Sequence, residues 1–165
     1  DGVEAVVRTV PKVSAAIDEV DSGVPEEAVA FVTLDDLSSC DGLILGSPGR
    51  FGNMAAPMKH FWEQTIPVWL GHQLVDKPAG VFTSTGSMHG GQEATLLSMI
   101  TVLLHHGMVV MGVPYSCSAL RETVSGGTPY GASHVSGGSQ DRLIDENERE
   151  IALALGRRIA GFSLK

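Results

Sequence analysis

Among 165 residues there are only two cysteines, Cys40 and Cys117, far apart and not in a CxxC pair. That spacing gives no disulfide framework and points instead to a reduced, cytoplasmic thiol pair. Basic residues are scarce too: 11 Lys and Arg stand against 19 Asp and Glu, for a net charge of -8. Nucleic-acid phosphate and anionic membrane both require clustered cations, so neither is expected as a partner. Long apolar runs are absent, because Ser98, Thr101 and the His105-His106 pair interrupt the longest one well short of the roughly 18 residues of a membrane span. No signal peptide is read at the start. The first residue is Asp1 rather than Met, so this end is read as a processed or internal boundary.

Several motifs are also missing. Without a Walker A sequence or a G-x-G-x-x-G there is no P-loop and no standard dinucleotide fingerprint. Without G-x-S-x-G, neither Ser84 nor Ser87 reads as the nucleophile of an elbow-type hydrolase. The six histidines form no H-x-x-x-H pair, and adjacent residues on a helix point about 100° apart, so no metal site is expected.

What is present is 43% hydrophobic content, enough for a single domain over residues 1–165 burying roughly two-thirds of its unfolded surface. Val3 to Val10 alternates like a strand that Pro11 ends. Ser14 to Glu27 reads as an exposed acidic connection. Thr33 is placed to cap a short helix, with Asp36 in its first turn. Leu43 to Gly46 is an apolar strand, Met54 to Thr65 a helix with Pro57 in its first turn, and Pro67 to Gly71 a loop carrying Trp69. A second strand, Ala79 to Thr83, leads into the polar, Gly-rich Ser84 to Gly91.

Gln92 to His106 reads as a helix apolar on most sides, closed by Gly107. Between Pro78 and Leu120 the only formal charge is Glu93, which predicts that part of this surface is covered by another subunit. Met108 to Val113 is a third strand, Tyr115 to Gln140 a long Gly- and Ser-rich excursion, and Asp145 to Ile159 a capped terminal helix. Alternating helices and continuous apolar strands predict an α/β fold with a parallel sheet covered on both faces. Ligands of such sheets bind at the carboxyl ends of adjacent strands, which here are the two Gly-rich loops.

In the first loop, Gly46, Gly49 and Gly52 would let backbone lie against a planar ligand, flanked by Phe51 and Trp69, with Arg50 matching an anion. An ordinary αβ loop with Phe51 in the core fits the same residues. The His105-His106 pair equally suits a helix C-terminus, where imidazole favours the dipole.

Five segments, in order and spacing, span nearly the whole chain: Gly46-Ser-Pro-Gly-Arg-Phe-Gly-Asn-Met54, Phe82-Thr-Ser-Thr-Gly86, His89-Gly-Gly-Gln-Glu93, His105-His-Gly-Met108 and Gly126-Gly-Thr-Pro-Tyr-Gly-Ala132. With them the sequence resembles the WrbA family of flavodoxin-like NAD(P)H:quinone oxidoreductases. The resemblance implies a flavodoxin-like three-layer sandwich with strand order 2-1-3-4-5, and a homotetramer binding FMN. It also implies NADH or NADPH as electron donor and a quinone as acceptor, reduced in two-electron steps. By the family pattern Gly49, Arg50, Phe51 and Asn53 belong to the first flavin loop, and Ser84, Thr85, Gly86, Ser87, Gly90 and Gly91 to the second. His106 is implied at the active face of the ring, as the catalytic residue, and Trp69 in the substrate pocket. If nicotinamide and quinone share that pocket, ping-pong kinetics follow.

Two departures accompany the resemblance. Gly49 stands where the family commonly has Thr. The family's opening strand and Ser-rich phosphate turn precede the point where this chain starts, so Val3 to Val10 is expected to lack its neighbour and the chain to hold FMN poorly. A one-electron flavodoxin-type carrier and a flavin-free oligomeric scaffold are the competing readings.

Overall fold

The computed structural model describes residues 2–13 and 29–165; the expected acidic connection, Ser14 to Glu27, lies outside the described residues. Helix α1 (Leu34–Ser39) begins as the sequence predicts. Thr33 accepts from the Asp36 amide, and the Asp36 carboxylate accepts from the Thr33 amide, forming a capping box. The chain then enters strand β1 (Leu43–Pro48). Helix α2 (Ala56–Glu63) starts two residues later than Met54, with Pro57 in its first turn, where a missing N–H costs nothing. The expected Trp69 loop is instead a short helix, α3 (Ile66–Leu70). Pro67 sits in its first turn and Val68 packs into the core, so a proline read as a breaker acts as an initiator.

Strand β2 (Pro78–Thr85) is longer than predicted and takes in Ser84 and Thr85. It runs parallel to β1, in the register Leu43 with Ala79 through Pro48 with Ser84. Helix α4 (Gln92–His105) follows, with His106 as its C-cap and Gly107 at φ 75°, the left-handed closure expected of that glycine. The third strand keeps only two ladder residues, β3 (Val109–Val110), against Pro78 and Ala79. Beyond it, Met111 still donates to Ala79, but Val113 turns its N–H to Pro129 and Arg158 takes the Gly112 carbonyl.

The excursion contains a short helix, α5 (Ala119–Glu122), and a strand the sequence reading missed, β4 (Ala132–Val135), parallel to β2 at Phe82 to Thr85. Because β1 occupies one edge of β2 along most of its length, β3 and β4 share the other edge, as two pieces of one interrupted strand. Helix α6 (Glu146–Ser163) closes the chain with a second capping box, Asp145 with Glu148.

Two apolar clusters define the layers. Leu37, Leu45, Trp62, Val81, Leu96 and Met99 join α1, α2 and α4 on one face of the sheet. Met111, Ala132, Ile151, Leu155 and Ile159 join α5 and α6 on the other. Gly80 admits α6 closely, since a Cβ there would lie 3.0 Å from Leu155.

Val3 to Val10 forms no strand; Thr9 alone bridges Phe31, and Val3, Val6 and Val7 are exposed. Alternation supplies a face, but a ladder also needs a neighbour. Among the described residues no strand pairs with the outer edge of β1.

Candidate active site

Both Gly-rich loops emerge at the carboxyl ends of β1 and β2 and touch. Gly49 extends the ladder by donating to the Ser84 carbonyl at 2.9 Å. Arg50 and Asn53 then exchange backbone hydrogen bonds of 2.8 and 3.0 Å, closing a tight turn whose two central residues, Phe51 and Gly52, have φ of 53° and 77°. Left-handed backbone at Phe51 costs of order 1 kcal/mol or more. Its ring is nonetheless fully exposed, so packing within the chain does not repay the strain. Asn53 caps the turn by accepting from the Met54 amide at 2.8 Å. Arg50 is exposed and donates to the Gly49 carbonyl at 3.1 Å; among the described residues it has no carboxylate partner.

The second loop lies against the first. Gly91, at φ 81°, is the N-cap of α4, and a Cβ on it would stand 3.0 Å from the Gly52 Cα. A Cβ on Gly49 would fall 2.7 Å from the Thr85 methyl, and one on Gly90 would fall 2.9 Å from the Ser87 carbonyl. Gly49 and Gly91 are required for the two crests to approach, and Gly90 for the second loop to turn on itself. Gly86, Ser87, Met88 and His89 are exposed at the tip, and Ser84 is half-buried at the strand end. Thr85 is buried and its hydroxyl donates to the Ser87 carbonyl at 2.8 Å, so the side chain shapes the loop from within. A planar ring system with polar edges fits the crests: the glycines bare the backbone, Phe51 is held outward, and Arg50 offers unneutralised charge.

Trp69 and His106 lie elsewhere in the chain. They border an open pocket of about 390 Å³ with Trp62, Thr65, Ile66 and His105, at the carboxyl end of α4. Fourteen helical residues, at about 1.5 Å each, put that pocket about 21 Å along the helix from the crests. Trp69 is half exposed and its indole N–H donates to the His105 carbonyl at 2.9 Å, which fixes the plane of the ring.

His106, expected at the ligand face, is only 8% exposed and packs edge-on against Trp62, centroids 5.1 Å apart. Burial, with the neighbouring His105 charge, pushes its pKa down, which keeps the imidazole neutral. The Thr65 hydroxyl spends its proton on the Trp62 carbonyl at 2.8 Å. At the 3.0 Å contact with Thr65, His106 Nε2 must therefore donate. Nδ1 is left as a buried acceptor with no partner. The exposed imidazole on the pocket wall is that of His105, which stands in the same motif. Two other buried polar residues, Thr65 beside the pocket and Thr95 beside the crests, gave no signal in sequence because only their burial marks them.

The family described as NADPH-dependent FMN reductase matches residues 11–120. The chain is 52% identical over 149 residues to an NAD(P)H dehydrogenase (quinone) of Chromohalobacter salexigens, covering 87% of this chain and 74% of that protein. It is 42% identical over 171 residues to the protein of the same description from Geobacter sulfurreducens, covering 99% and 84%. Among solved structures, the flavodoxin, WrbA-like protein from Agrobacterium tumefaciens superposes with a TM-score of 0.59 at 21% identity, over 79% of this chain and 70% of that one. The sheet with helices on both faces is thus flavodoxin-like, and the chain belongs to the NADPH-dependent FMN reductase family.

Proposed function

We propose that this chain is an FMN-dependent NAD(P)H dehydrogenase that reduces quinones, of the WrbA-like branch, working as a homotetramer in the cytoplasm. The observation that carries the reading is the pair of touching crests at the ends of β1 and β2, with Phe51 held in a strained, fully exposed position at the turn of the first. When bound there, FMN supplies a carrier that takes two electrons from a nicotinamide and gives them to a quinone. Gly49, Gly90 and Gly91 bare the backbone that lies against its ring. Arg50 complements anionic charge, and Ser84, Gly86 and Ser87 offer polar edges.

Trp69, His105 and His106 belong to the same site when one copy's pocket faces another copy's crests. Two observations support that assembly. Crests and pocket stand at opposite ends of α4, and Leu97 and Leu104 on its flank are 47% and 58% exposed, an apolar surface that a second copy would cover. In that arrangement Trp69 stacks on planar substrates, His105 offers a reachable imidazole, and neutral His106 holds Thr65 and Trp62 in the wall.

Steady-state oxidation of NADH with benzoquinone, in excess FMN, tests the activity. Saturable turnover above an FMN-only control, with one NADH consumed per quinone, is expected. No turnover would leave an electron carrier or a flavin-free scaffold in its place.

A further inference from the structure

A buried amide at the first residue of α4 lies behind the second crest. Gln92 is 6% exposed, unusual for a glutamine at a helix start. Its Nε2 donates to Thr85 Oγ1 at 3.0 Å and to the His134 backbone carbonyl at 3.3 Å, and its Oε1 accepts from Ser133 Oγ at 2.7 Å. A carbonyl can only accept, so the amide is oriented by its partners. Ser133 Oγ accepts in turn from the Gly127 amide at 2.7 Å. Thr85 passes its own proton to the Ser87 carbonyl, which also accepts from the Gly90 amide at 3.0 Å. One side chain therefore links the tip of the second crest to β4 and to the Gly126-Gly127 turn. Glu148 fastens the same segment to α6 by accepting from the Gly126 and Val135 amides.

We infer that Gln92 is a positioning residue for the ring site: by bonding the Thr85 hydroxyl to Ser133 and the His134 carbonyl, beyond the β2–β4 ladder, it sets the path of Ser84 to Gly91, and through that path the affinity for FMN. The inference rests on the FMN reading above. A buried amide contributes little net stability, since each bond replaces one to water, but a fully satisfied network selects one geometry. Besides the β2–β4 ladder, which pairs Ser84 with His134 and Thr85 with Val135, the second crest meets the C-terminal third of the chain at Ser136, whose amide and hydroxyl donate to the Thr85 carbonyl.

Gln92→Met keeps the length of the side chain and removes all three bonds; Gln92→Glu keeps the shape and turns donors into acceptors that face a carbonyl. On the full chain, amide hydrogen exchange without ligand and fluorescence titration with FMN read the effect. Gly90 and Ser136 amides are expected to exchange about tenfold faster in both variants, and the FMN Kd to rise about tenfold, as loss of one or two net hydrogen bonds implies. Amides of Leu45 and Val81, in the β1–β2 core, should keep their rates. If Gln92→Met fails to fold, Ser133→Ala, which removes one partner, should shift the same two amides and the Kd in the same direction by a smaller factor. Uniformly faster exchange at all four amides, or wild-type exchange and Kd in the variants, would overturn the inference. Failure of the unsubstituted chain to bind FMN would instead overturn the functional reading, while the exchange rates would still decide the role of Gln92.

Discussion

Glu148 is the most heavily bonded carboxylate of the described residues, and replacing it with Gln should be expensive. Its side chain is 1% exposed. Oε1 accepts from the Gly126 and Val135 amides at 2.9 and 3.1 Å and from Arg142 at 3.0 Å, while Oε2 accepts from the Asp145 amide at 3.1 Å and pairs with His134 Nδ1 at 2.8 Å. Burial alone would raise its pKa, but the bonds from His134, Val135, Gly126 and Asp145 outweigh it and hold the carboxyl at about 2. Its unfolded value is 4.5, and linkage turns that difference into about 3 kcal/mol of stability at neutral pH. Because the folded pKa is depressed, that contribution is present above pH 4.5 and is lost as pH falls toward 2. In Glu148→Gln an amide NH2 must face donors on one side or the other, so a loss of about 3 kcal/mol is expected, or roughly 6–12 °C in Tm for a chain of this size. Urea unfolding followed by far-UV circular dichroism from pH 7 to pH 3 checks it. The gap between the two proteins should narrow below pH 4.5, where the unfolded chain takes up a proton that folded Glu148 does not. A gap under 1 kcal/mol at pH 7, or one independent of pH, would refute the role given to this carboxylate.

Three further outcomes follow from the site. Phe51→Gly removes a side chain from left-handed backbone, so thermal unfolding should show the apo-protein stabilised by up to about 1 kcal/mol, while an FMN titration shows weaker binding. Gly49→Ala drives a Cβ to within 2.7 Å of the Thr85 methyl and should cost about 1–3 kcal/mol; Thr85→Ser, which removes that methyl, should restore most of the loss in the double variant. His106 should titrate in NMR below the ordinary histidine range, because burial disfavours its cation. Since its folded pKa is lowered, stability should fall as pH drops through the window beneath 6.5, where only the unfolded chain gains the proton.

Features decided by neighbouring residues were legible in the sequence. The N-caps at Thr33 and Asp145, Pro57 in the first turn of α2 and Gly107 closing α4 all follow from local backbone chemistry, and each stands where the sequence puts it. Both crests were legible too, because few other reasons bring so many glycines to the end of an apolar strand. Pairing between distant segments was not. Val3 to Val10 has the alternation of a strand without a ladder, whereas Ala132 to Val135 has almost no pattern and is a strand because β2 offers it an edge. Which of His105 and His106 faces Trp62 is likewise a matter of helix rotation against α2. The distance between crests and pocket was available in the length of α4 and went unread, because motifs that recur together in a sequence need not meet within one chain.

The central claim is that the Gly49–Asn53 and Ser84–Gly91 crests seat a flavin ring. A crystal structure of the full chain soaked with FMN tests it most directly. Tricyclic density is expected against the backbone of Gly49 to Phe51 and of Gly86 to Gly91. Density elsewhere, or crests closed by the chain's own side groups with FMN excluded, would contradict it.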